Sequence, residues 1–209
     1  LTSAQLSGDP SANDMTRVPV AVTVDGWDLS VVCQHWKAGF DDADEFRRTV
    51  ESVRGAQAGS YLNATHQILM GDVNAEVTDG AEFPNPFTSL PVGLPSSFDL
   101  GDDLADELDT GAGIANAPFQ VMAAAGLEVI EASQVDGRLE TRDVSGRRID
   151  YILADAQTRD WLNAAEVYDT RDEHLSGGVP KAGNAPDREA GATASDHFPV
   201  LVDLTRPTP

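Results

Sequence analysis

Near its C-terminal end the chain reads ATASDHFPVLVDL, residues 192–204, with Asp196 and His197 directly before an apolar run. That run, from Phe198 to Leu204 with Asp203 interrupting it, predicts a largely buried strand. Pro199 is tolerable at its first residues, where a ladder hydrogen bond can be forgone. Asp196 and His197 therefore occupy a strand's mouth, a place where catalytic side chains concentrate. Three more polar clusters share this placement at or near the end of a predicted strand: His35 in QHWKAG, Asp72 and Asn74 in GDVN, and Asp150 in RRIDYIL. Such a set offers imidazoles that move protons and carboxylates that bind hard cations. Each cluster alone also has an ordinary reading. An Asp before a strand is a common turn former, GDVN is a plausible turn, a lone His ending a strand is a satisfied structural residue, and Asp150 can pair with Arg147 or Arg148.

The elements that would position these residues follow from periodicity. VPVAVTVDGWDLSVVCQHW alternates at period two on both sides of Asp25-Gly26, a dipeptide that tolerates the positive φ of a hairpin turn. In the next segment Phe46, Val50, Val53 and Gln57 recur at helical spacing, with Asp41, Asp42 and Asp44 able to cap and to complement the dipole. The expectation is a helix over 42–58 on one sheet face. HQILMGDVN predicts a buried strand over 66–71 that ends in a loop. Residues 78–117, rich in Pro, Gly and Asp, predict a long irregular excursion with a short helical turn at 101–108. PFQVMAAAG carries the start and stop signals of a short helix at Pro118 and Gly126. RRIDYILAD and WLNAAEVYD predict strands, SGGVPKAGNAPDREAGATA a loop, and 198–204 the closing strand. Residues 1–16 predict a loop or frayed end, and no internal repeat stands out. Mixed strands and helices with antiparallel hairpins indicate a layered α/β fold rather than a parallel nucleotide-binding one.

Composition narrows the function classes. A chain of 209 residues suits one domain with a real core. Its 14 Lys and Arg against 35 Asp and Glu give a net charge of −21, which excludes the broad basic footprint that holds duplex DNA by phosphate neutralisation alone. Attraction for a phosphate ester would have to be local, and a bound divalent cation is the obvious source. Most of the carboxylates read as a solvated surface. The single cysteine, Cys33, lies in an alternating apolar run and is expected to be a buried small residue. No internal disulfide can form, so secreted and cytoplasmic compartments both stay open. No apolar stretch has the length of a membrane span, and no obligate protein partner is indicated. The chain opens LTSAQLSGDP without an initiator Met, as a fragment or processed product does.

Taken in order, H-x-K, G-D-x-N, R-x-I-D-Y and S-D-H-x-P-V resemble the C-terminal two thirds of the endonuclease/exonuclease/phosphatase superfamily. This is the DNase I-like fold shared by nucleases, abasic-site endonucleases, sphingomyelinases and inositol polyphosphate phosphatases. The resemblance covers about residues 17–204 and implies a partial domain over 17–205: a four-layer α/β sandwich of two mixed sheets. It implies a hydrolase of phosphate esters that uses Mg²⁺ or Mn²⁺. His197 would take the proton from water, and Asp150 would hold that imidazole in the right tautomer. Asp196 would face the metal, Asp72 would position the water or a second cation, and Asn74 would donate a hydrogen bond to the phosphate. His35 would bind a phosphate oxygen or assist the leaving group. Arg17, in TRVPV, stands where family members often carry a phosphate-contacting Arg, though a surface Arg is an equal reading.

The sequence departs from the family at its beginning. The family opens with a strand carrying an Asn, then a helix, then a strand ending in the principal metal-ligand Glu, and neither feature is recognisable here. The expectation is a domain without about its first third, holding the weaker half of the metal site and inactive as an isolated piece. With no basic cluster suited to a multiply phosphorylated ring, the substrate expected is a phosphodiester, nucleic acid among the candidates. The alternatives are a phosphomonoesterase, or a non-catalytic binding or structural member of the same fold.

Overall fold

The structure, a computed structural model, describes residues 12–79 and 86–206. The expected hairpin is formed by β1 (Val20–Val24) and β2 (Leu29–His35), antiparallel with Val20 opposite Cys33 and Val24 opposite Leu29. Residues 25–28 connect them, with Gly26 at φ 75° and Asp28 at φ 51°. The next helix, α1, runs Asp42–Tyr61, three residues beyond the expected end. Its N-cap is Asp41, whose carboxylate accepts from the Asp44 N–H, and Asp42, Asp44 and Glu45 place negative charge on the first turn.

α1 is the crossover that lets β2 pair in parallel with β3 (His66–Asp72), since parallel neighbours need a long connection. Its two sides do different work. The Phe46 and Val50 stripe, expected against a sheet, packs instead on Phe87, Leu104 and Ile114 of the long excursion. The sheet side is made of small residues: a Cβ at Gly55 would stand 2.1 Å from the Gln34 side-chain oxygen and 2.8 Å from Leu69 Cδ1. Glycine lets helix and sheet approach that closely.

The excursion holds α2 (Asp102–Asp109) and is followed by α3 (Pro118–Ala124), both close to expectation; residues 80–85 of the excursion and 1–11 of the expected N-terminal loop lie outside the described residues. Residues 12–16 form no helix or strand, yet they are firmly tied in. Asn13 bridges Asp99, and Asp14, fully buried, pairs with the equally buried Arg54 of α1, which also holds Asp103 of α2.

After α3 come β4 (Glu128–Val129), β5 (Asp150–Ala154), the short helix α4 (Ala156–Arg159), β6 (Leu162–Val167), α5 (Ala190–Ala194) and β7 (Val200–Leu204). The strands form a five-stranded mixed sheet in the order β1-β2-β3-β5-β4 and a two-stranded antiparallel sheet of β6 and β7. One face of the large sheet packs on α1 and α3 through Val32, Leu69, Leu153 and Met122. The other face, with Ile68, Ile152 and Ala154, packs on Leu162, Val200 and Val202 of the small sheet. Helix layer, sheet and sheet are thus three successive layers of the expected sandwich.

Cys33 is exposed, against the expectation of burial. Alternation puts Val32 and Gln34 under α1 and leaves Cys33 on the opposite face, where the small sheet does not reach it.

Candidate active site

Sheet register builds the site. His35, the last residue of β2, lies opposite Asp72, the last of β3, and Asp72 lies opposite Asp150, the first of β5. Three side chains far apart in sequence therefore stand side by side in one row. They alternate in phase with Met70 and Ile152, so they share the sheet face that meets the small sheet. His197, just before β7, comes from that second layer and donates from Nδ1 to Asp150 Oδ2 at 2.9 Å. His35 Nε2 lies 3.5 Å from Asp72 Oδ2. Asp150 and His197 line one wall of an open groove of about 390 Å³, whose other walls include Cys33, Met70, Phe198 and Pro199.

The sharp bend of GDVN is set by two residues. Gly71 has φ 140°, and a Cβ there would stand 1.8 Å from the Gln34 carbonyl oxygen, so no other residue fits without moving β2. Asn74 has φ 51°, and its backbone N–H donates to Asp72 Oδ1 at 2.9 Å. The turn reading of GDVN is correct, and Asp72 uses one oxygen for the turn and turns the other toward His35. The Asn74 side chain donates one amide hydrogen to the Trp36 carbonyl at 2.9 Å, which leaves its second for a ligand.

Asp150 does not pair with its neighbouring arginines. Arg147 binds Glu76 and Asp79, and Arg148 binds Glu131. The Asp150 carboxyl is pushed above its ordinary value chiefly by burial, against the stabilising hydrogen bonds of Thr141 and His197, with the neighbouring Asp72 charge raising it further. Two half-buried carboxylates side by side are a place where a cation relieves repulsion. Asp72, Asp150 and His197 each offer one ligand atom, all within 4.8 Å of one another.

Asp196 stands outside that cluster. Its carboxylate pairs with Arg142 at 3.0 Å, which holds it below the ordinary carboxylate range, and its other oxygen is 3.9 Å from His197 Nε2. Arg17 is exposed. Its neighbour Thr16 donates its N–H to the Glu51 carboxylate, which also accepts the Lys37 N–H, so Arg17 lies on the side of the molecule where β2 ends. Sequence reasoning missed Thr141 and Arg142. They lie in ETRDVSGRR, a stretch without helical or strand period, and their contacts are made across the fold.

No family model matches the chain, and no curated protein does. Solved structures do. A 3'-5' exonuclease from Neisseria meningitidis matches with a TM-score of 0.51 at 17% identity over 94% of this chain and 69% of its own. A 3' phosphatase from Neisseria, bound to product DNA hairpin, matches at 0.50 and 17% identity over 95% and 69%. An endonuclease/exonuclease/phosphatase protein from Beutenbergia cavernae matches at 0.44 and 18% identity over 90%, and this chain spans 38% of its length. The likeness to the two Neisseria structures shows the fold: the DNase I-like α/β sandwich.

Proposed function

We propose that this chain carries the catalytic half of a divalent-cation-dependent hydrolase of phosphate diesters. The observation that supports this most directly is the Asp150–His197 pair at 2.9 Å beside Asp72. An ionised carboxylate only accepts hydrogen bonds, so Asp150 fixes the proton on His197 Nδ1 and leaves the Nε2 lone pair free. Nε2 then takes a proton from a water as that water's oxygen forms the new bond to phosphorus and the ester oxygen leaves. Asn74 donates its remaining amide hydrogen to a phosphoryl oxygen. His35, the more exposed of the two histidines, binds another or protonates the leaving oxygen, and Arg17 adds positive charge.

Mg²⁺ or Mn²⁺ fits the donor set, because paired carboxylates on a half-buried edge suit a hard cation. Asp72 would hold it, and Asp196 would join by releasing Arg142. When bound, the cation neutralises charge on the phosphoryl oxygens. The net charge of −21 makes this local attraction necessary for any polyanionic substrate, nucleic acid included. No helix among the described residues is long and apolar enough to cross a membrane.

A phosphomonoesterase is the second reading, since the Neisseria protein NExo is described both as a 3'-5' exonuclease and as a 3' phosphatase. Bis-p-nitrophenyl phosphate and p-nitrophenyl phosphate, offered with Mg²⁺ or Mn²⁺ to the full-length protein, separate the two. Cation-dependent cleavage of the diester is expected. Monoester cleavage alone favours the second reading, and no turnover of either ester removes the enzymatic one.

A further inference from the structure

We propose that Thr141 is a positioning residue that aims Asp150 at His197. This rests on the hydrolase reading above and adds to it a residue outside the strand-end row. Thr141 is fully buried, and its hydroxyl oxygen accepts two backbone N–H groups, those of Ile149 and Asp150, each at 2.9 Å. A hydroxyl has two acceptor lone pairs and one proton. With both lone pairs engaged, the proton has one partner left, Asp150 Oδ2 at 2.8 Å.

That same oxygen receives His197 Nδ1. One carboxylate oxygen is therefore held between two donors, and its rotation about the Cβ–Cγ bond is fixed by a residue that never touches substrate. Thr141 grips the other partner as well: its carbonyl accepts the N–H of Phe198, the residue next to His197, at 2.7 Å. The single residue thus binds the start of β5, the Asp150 side chain and the segment carrying the imidazole. Loss of its hydroxyl frees the carboxylate to turn away from Nδ1, and the imidazole loses its fixed tautomer.

The experiment compares the full-length wild-type protein with Thr141→Val, Thr141→Ser and Thr141→Ala. Nitrogen-15 spectra at one fixed pH report the ring tautomer, with the His197 signal assigned by its loss in His197→Gln. Wild type and Thr141→Ser should show Nδ1–H, whereas Thr141→Val and Thr141→Ala should shift toward a mixture. Unchanged His197 signals in folded Val and Ala variants overturn the proposal. In the diester assay, Thr141→Val should lower kcat by about 10- to 100-fold with KM within about twofold, and Thr141→Ser should restore it. Added to Asp150→Asn, the Val substitution should cost less than about a further twofold. A full additional loss in that background would mean that Thr141 acts on the scaffold and not through Asp150. An inactive wild type defeats the hydrolase reading alone, because the tautomer spectra still decide the role of Thr141.

Discussion

Asp150 Oδ2 and His197 Nδ1 lie 2.9 Å apart although 47 positions separate the two residues in the chain. The contact joins the two sheets: Asp150 begins β5 of the large one, and His197 precedes β7 of the small one. Replacement of His197 by Ala removes the proposed base and should lower diester turnover by about 10²- to 10⁴-fold. Asp150→Asn keeps the shape and offers an amide in place of the carboxylate, so a loss of similar size is expected. Steady-state kinetics on both variants checks this, and rates near wild type in either would sink the assignment.

The cation prediction concerns Asp72. Its neighbour in the row is Asp150, and its Oδ2 faces His35 rather than an arginine or lysine. Asp72→Asn removes the charge that a hard cation needs and should weaken Mn²⁺ binding at least about tenfold in calorimetry. Chelation by EDTA should abolish diester turnover, and readdition of Mn²⁺ should restore it. Turnover that persists in the chelator rules out a cation in the mechanism.

A stability prediction follows from the buried pair of Asp14 and Arg54, 2.5 Å apart with both side chains wholly inaccessible. Removal of Asp14 leaves the buried Arg54 guanidinium with Asp103, a more exposed carboxylate, as its remaining anionic partner. Asp14→Ala should therefore lose part of the 3–5 kcal/mol typical of a fully uncompensated buried charge, about 2 kcal/mol. Urea denaturation measures it. A loss below about 1 kcal/mol would place the pair among those that contribute little.

Arg54 also sets an acid response through Asp103. Its hydrogen bonds hold the Asp103 carboxyl below the ordinary value of 3.8, more than burial raises it. The folded state therefore binds this proton less readily than the unfolded state. The stabilisation is present above the unfolded value and is lost as pH falls through the lowered folded value. Asp103→Asn should be less stable than wild type near neutral pH, and the gap should narrow as pH falls below the ordinary carboxylate range. A gap that does not change with pH contradicts the linkage.

Local pattern made much of this fold legible. Period-two alternation located β1 and β2, short apolar runs located β3 and β7, and the Asp-rich start of α1 located its cap. The polar clusters at strand ends were visible for the same reason. What local pattern does not carry is which strands become neighbours. The row of His35, Asp72 and Asp150 exists because β3 pairs with both β2 and β5, a choice made by packing across the whole sheet. Asp14 was hidden by a Ser-, Asp- and Gly-rich context that reads as solvated loop, whereas its burial depends on an arginine 40 positions away. Thr141 lies in a stretch with no period at all, and its role comes entirely from partners at 149, 150 and 198.

Cys33 gives the last prediction, and it turns on the same gap between alternation and burial. A strand's alternation divides side chains between two faces without saying which face is covered along its whole length. On β2 the helix side is covered throughout, by α1, and buries Val32 and Gln34. The other face is covered by the small sheet near Val31 but not near Cys33, which is left at the wall of the groove that holds Asp150 and His197. The thiol should therefore react with Ellman's reagent in the native protein, with one equivalent released per chain, and without denaturant. A bulky maleimide at Cys33 should then obstruct the groove and lower diester turnover at least about tenfold by displacing the substrate from the base. Cys33→Ser should keep wild-type turnover and resist the reagent's effect. A thiol that reacts only after unfolding would show that Cys33 is covered, and full activity in the labelled protein would show that substrate does not use this groove.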